Sequence, residues 1–116
     1  MIDGYYYFHK ETKNLIWKKF RPKDNSDFVQ KIWVVDATNR EHAWTILLEA
    51  LSLGLNITRA KELAIEWKCI QEGFEEMLTL IKKPTTGMQI GAHIFIEEIL
   101  GLDPYTYWTE LKRRKE

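Results

Sequence analysis

Gly4-Tyr5-Tyr6-Tyr7-Phe8-His9, the polar turn Lys10-Glu11-Thr12-Lys13-Asn14, and Leu15-Ile16-Trp17-Lys18-Lys19-Phe20 together decide the fold class. Two runs of aromatic and β-branched residues joined by about five turn formers read as a β-hairpin. Alternation along the first strand puts Tyr5 and Tyr7 on one face and Tyr6 and Phe8 on the other, so neither face is polar. Either both faces are covered, or one aromatic face is left for a partner. Arg21 to Asp27 is a loop by composition. Lys31-Ile32-Trp33-Val34-Val35 follows as a third strand, which a hairpin needs because two strands alone are marginal.

From residue 38 the pattern is helical. Thr38-Asn39-Arg40-Glu41 matches a capping box, with Thr38 as the cap. Ala43, Trp44, Leu47, Leu48 and Leu51 form one stripe, and Gly54 closes the helix in a left-handed conformation. Asn56 or Thr58 caps the next segment, with Ala60, Leu63, Ala64 and Trp67 on its buried side. Ile70, Phe74, Met77, Leu78 and Ile81 continue the pattern until Pro84 stops it, and the spacing leaves open a bend at Lys68-Cys69. Thr86-Gly87-Met88-Gln89 is a second capping box, leading Ala92, Phe95, Ile96, Ile99 and Leu100 to a stop at Gly101. Asp103-Pro104 opens a last helix that presents Tyr105, Trp108 and Leu111. The expected architecture is α+β: a small antiparallel N-terminal sheet packed on four to five short helices. Residues 1–36 form the sheet and 37–116 the helical part of one domain.

Composition narrows the function classes. Net charge is zero, with seven basic against five acidic residues in 1–36, six against ten in 37–103, and four against two in 104–116. A dedicated nucleic-acid binder has a stronger basic bias. The longest uncharged run, Pro84 to Ile96, is 13 residues, short of the about 20 that a membrane span needs. The N-terminus lacks the basic start and apolar run of a signal peptide, and Cys69 has no disulfide partner, so a cytoplasmic setting is expected.

No catalytic or metal signature emerges. His93 and Glu97 share a helix face but lack a second ligand pair. The Glu-rich helices read as solvated faces, Cys69 as a packed thiol, and the glycines form no phosphate loop. Neither an enzyme nor a cofactor is therefore expected. A binding role remains, and five Trp and five Tyr suit an interface. Trp44, Trp67 and Trp108 are expected in the core, while Tyr5, Tyr6, Tyr7, Phe8, Trp17 and Trp33 are the candidate protein interface, because a small sheet cannot hide them all. The alternative is nucleic-acid binding through Lys18, Lys19, Arg21 and Lys23 of the aromatic hairpin with Lys112, Arg113, Arg114 and Lys115 of the C-terminal tail. It ranks second, because the helix pair 39–53 and 59–68, which loosely suggests a helix-turn-helix, exposes Glu62 and Glu66.

Three stretches carry a resemblance. Gly4-Tyr-Tyr-Tyr-Phe-His with Asn14-Leu-Ile-Trp-Lys, Ser26-Asp-Phe-Val with Trp33-Val-Val-Asp36, and Asn39-Arg-Glu-His-Ala-Trp-Thr-Ile-Leu-Leu-Glu-Ala-Leu with Lys61-Glu-Leu-Ala and Trp67-Lys-Cys69 resemble, in this order, a group of small uncharacterised bacteriophage and prophage proteins. The resemblance covers about residues 4–69 and brings no catalytic residues. It implies a phage accessory protein in the bacterial host cytoplasm. The expected partner is a host or phage protein, with a homodimer as a further option.

Overall fold

The computed structural model describes residues 4–21, 29–36, 39–67, 74–76 and 85–115. Three antiparallel strands open the chain: β1 (Gly4–His9), β2 (Asn14–Lys18) and β3 (Val29–Val35), in the order β2-β1-β3. The β1–β2 turn is closed by Lys13 N–H donating to the His9 carbonyl, with Lys13 in the left-handed region at φ 56°. Tyr6 stands opposite Trp17 on β2 and Trp33 on β3. A register shift between Phe8 and His9 marks the end of regular β1–β3 pairing. Residues 22–28, the heart of the expected loop, lie outside the described residues.

The helices are α1 (Arg40–Leu53), α2 (Ile57–Glu66), α3 (Thr86–Ile94) and α4 (Pro104–Lys115), with residues 74–76 also helical. Local chemistry explains their ends. Asn39 Oδ1 accepts from Glu41 N–H at 3.0 Å, so Asn39 caps α1, one residue beyond the expected Thr38, itself outside the described residues. Gly54, at φ 109°, closes α1 by donating to the Ala50 and Leu51 carbonyls, the left-handed stop that glycine adopts without steric cost. Asn56 Oδ1 caps α2 by accepting from Thr58 and Arg59 N–H. The cap of α3 is Thr85, whose hydroxyl accepts from Met88 N–H at 3.1 Å, again one residue from the expected Thr86. Asp103 caps α4, accepting from both the backbone N–H and the hydroxyl of Thr106.

Two helical expectations change. The segment after α3 is not α-helical to its end: Phe95–Ile99 is a π-helical turn, with Leu100 N–H donating to the Phe95 carbonyl. Its wider winding turns Phe95 and Ile96 into the core. On α4 the inward stripe is Pro104, Tyr107 and Leu111, at i, i+3 and i+7, while Tyr105 is exposed and Trp108 is 38% exposed. Tyr107 wins because its ring meets Phe74 at 5.8 Å, a tertiary contact that sequence spacing does not reveal. Met77, Leu78, Ile81, Pro84 and the Lys68-Cys69 bend lie outside the described residues.

In the core, Phe8, Leu15 and Trp33 of the sheet share one cluster with α1 and with Met88, Ala92, Phe95 and Ile96 of the later helical segments, and α1 packs on both β3 and α3. Ile46, Glu49 and Ala50 of α1 are buried along with the expected Trp44, Leu47, Leu48 and Leu51. Trp44 stands edge-on to Phe74 and Phe95, whose rings stack at 4.7 Å. Gly91 sets the α1–α3 spacing, since a methyl group there would overlap the Leu48 carbonyl. Gly91→Ala is expected to lower the unfolding free energy by about 1–3 kcal/mol through overpacking. Urea denaturation reads this, and a parent-like midpoint would show that the helices are not in contact there.

Candidate functional site

Strand register divides the sheet's side chains into rows. On the inner face Trp17, Tyr6 and Trp33 form one row, and Leu15, Phe8 and Lys31 the next. On the outer face the rows are Lys18, Tyr5, Val34 and Ile16, Tyr7, Ile32. Phe8, Leu15 and Trp33 belong to the core, and Tyr6 and Val35 pack against it. None of Tyr5, Tyr7, Ile16, Ile32 and Val34 does, among the described residues. Tyr5, Tyr7, Ile16 and Ile32 are half-buried and Val34 is 49% exposed.

The six aromatics expected at the surface therefore separate. Phe8 and Trp33 are buried, which corrects that expectation: the helical part covers the middle of the inner face, and alternation sends these two side chains into it. Tyr6 is half-buried, edge-on to Trp67 at 5.7 Å. Burial, and then the charge of Glu66, raise the Tyr6 hydroxyl above the ordinary phenol range, against the opposing effect of Arg59. Tyr5 and Tyr7 face outward. Trp17, at the end of the inner row, stays 45% exposed with its indole laid on Gly4, where a Cβ would stand 2.6 to 2.7 Å from the ring.

The residue that sequence reasoning missed is Glu49. Its Oε1 accepts from Lys31 Nζ at 2.9 Å and from the Thr85 hydroxyl at 3.3 Å, and its Oε2 accepts from Trp33 Nε1 at 2.8 Å. Its backbone carbonyl takes the Ser52 hydroxyl at 2.6 Å. One buried carboxylate thus ties β3, α1 and the cap of α3 together. Burial opposes its ionisation, yet the Lys31 and Trp33 hydrogen bonds, the Lys31 charge and Thr85 outweigh burial and hold Glu49 below the usual carboxylate range. The available signal was one acid inside the apolar run Ile46 to Leu51.

Basic residues fall in two places. Lys10, Lys13, Lys18, Lys19 and Arg21 are exposed along the hairpin, and Lys112 and Arg113 are exposed on α4. Lys23 lies outside the described residues, and only the backbone of Arg114 and Lys115 is described. Helix α4 packs on the π-helical turn. On α2, Arg59 is paired with Glu62 at 3.1 Å.

The histidines are dispersed. His9 Nδ1 accepts from Thr12 N–H, His42 Nδ1 from Asp36 N–H, and His93 Nε2 lies 3.4 Å from Glu97 on the exposed side of α3. The last pair borders an open groove lined by Thr86, Gln89, Ile90, His93 and Ile94. Among the described residues no group of three or more His, Cys, Asp or Glu converges as a metal site; Cys69 and Glu72 lie outside them. No described helix is long and apolar enough to cross a membrane. No protein-family model, curated protein or solved structure matches the chain.

Glu49 generates a pH prediction. A carboxylate whose folded pKa lies below its unfolded value stabilises the fold above the unfolded value, about 4.3 for Glu. That stabilisation is lost as pH falls through the folded value. Glu49→Gln is expected to cost about 1–3 kcal/mol near neutrality. The gap between parent and variant should narrow progressively as denaturation is repeated at pH values falling below about 4.3. A gap independent of pH would show that the Glu49 charge does not hold the sheet.

Proposed function

We propose that this protein is a non-enzymatic binding module whose outer sheet face docks a protein partner. The observation that carries the reading is the composition of that face: Tyr5, Tyr7, Ile16, Ile32 and Val34, with Lys18 as the only charge in its two central rows. Tyrosine offers large contact area at small conformational cost and retains a hydroxyl for hydrogen bonding, so it is favoured at interfaces. A contiguous apolar surface rimmed by charge is the usual mark of a protein contact site. Trp17 belongs to the inner row, and Phe20 lies beyond the end of β2.

The resemblance of residues 4–69 to small phage and prophage proteins supports a phage accessory role, with a host or phage protein as the partner. Modulation of a host defence or regulatory system is the form of that role the proposal favours. It requires no cofactor, and it places the encounter in the bacterial host cytoplasm.

The test is co-purification from host lysate beside a Tyr7→Ser/Val34→Ser variant, which removes apolar area from the outer face without touching the inner rows. The parent is expected to retain one specific partner that the variant, folded as the parent by circular dichroism, loses. Recovery of no specific partner, or equal retention by the variant, would overturn the proposal.

A further inference from the structure

A second surface lies along the free edge of β2 at the open end of the hairpin; it meets the outer face only at Lys18 and differs from that face in chemistry. We infer that Trp17 and Phe20, set among Lys18, Lys19 and Arg21, bind single-stranded nucleic acid. Residues 4–21 hold five Lys or Arg against one acid, Glu11, so the hairpin is basic although the whole chain is neutral. Lys10, Lys13, Lys18 and Lys19 are exposed, and among the described residues no carboxylate pairs with any of them. Charge left uncompensated on a protein of zero net charge is charge available to an anionic polymer.

The aromatic groups supply what an acidic protein would not require. Phe20 is 77% exposed just past the end of β2, with Lys19 Nζ 5.9 Å from its ring centroid. Trp17 is supported from beneath by the Gly4 backbone, so its ring is held in place while nearly half of the residue stays open to solvent. A ring fixed before binding loses little conformational freedom when a base stacks on it. Stacked bases on aromatic platforms, with cations tracking the phosphates, are the combination by which proteins hold single strands without reading sequence. In a duplex the bases are already stacked on one another and are closed to these two rings.

The experiment is fluorescence anisotropy of the full chain with labelled oligo-dT and oligo-U of about 15 nucleotides, within the site sizes of single-strand binders. Binding to either strand supports the inference, and their ratio tells DNA from RNA. Binding should weaken between about 50 and 200 mM salt. Lys18→Ala/Lys19→Ala should reduce the salt slope by about 1.4, at ~0.7 for each phosphate no longer neutralised. Phe20→Ala, at a site too exposed to matter for folding, and Trp17→Ala should each weaken binding about tenfold at unchanged charge. Tyr7→Ser/Val34→Ser should leave it unchanged, which separates this surface from the outer face. Absence of binding at the lower salt, equal affinity for duplex, indifference to both aromatic substitutions, or displacement by polyglutamate as effective as by unlabelled oligonucleotide would each overturn it.

Discussion

The Glu49 carboxylate is the constraint on which the arrangement of sheet and helices depends. It sits in the middle of α1 and collects Lys31 and Trp33 from β3 and Thr85 from the cap of α3. Three elements distant in sequence are thereby fixed at one point. A buried carboxylate is costly unless each oxygen is satisfied, and here a cation, an indole N–H and a hydroxyl satisfy them. The bonds are also directional. Trp33 Nε1 reaches Glu49 only if Trp33 faces α1, so the contact selects one face of β3, and through the register one face of the whole sheet.

The consequences spread along the pleat. With Trp33 inward, Tyr6 and Trp17 in its row and Phe8 in the next are inward as well, and Tyr5, Tyr7, Ile16, Ile32 and Val34 must face the other way. The apolar outer face is thus a product of the same bond that closes the core. A slip of one residue would exchange the two faces, exposing Phe8 and burying Tyr7. The two proposed surfaces follow from this geometry. The outer face is apolar at its centre, whereas the end of β2 carries aromatic rings among exposed lysines.

Much of the fold was legible where the chemistry is local. The hairpin was readable from its turn and alternation, and β1 runs over the expected Gly4–His9. Gly54, Asn56 and Asp103-Pro104 mark helix ends through their own backbone and side-chain bonding. The caps of α1 and α3 fall one residue away from the sequence reading because adjacent residues, Thr38 and Asn39 or Thr85 and Thr86, can all serve as caps. What remained illegible was tertiary. The inward stripe of α4 is decided by Phe74, and the π-helical turn by packing of Phe95 and Ile96. Of the six candidate interface aromatics, alternation could show that they form two sets but not which set meets the helices. Glu49 makes that choice, and its three side-chain partners lie 16 or more residues away.

The orientation of the sheet is open to a direct measurement: nuclear magnetic resonance of the aromatic side chains in the presence of a soluble paramagnetic probe. The probe should strongly broaden the ring signals of Tyr5 and Tyr7 and leave Phe8 and Trp33 sharp, with Tyr6 between them. Broadening of Phe8 and Trp33 beside protected Tyr5 and Tyr7 would contradict the account, since it would place the opposite face of the sheet against α1.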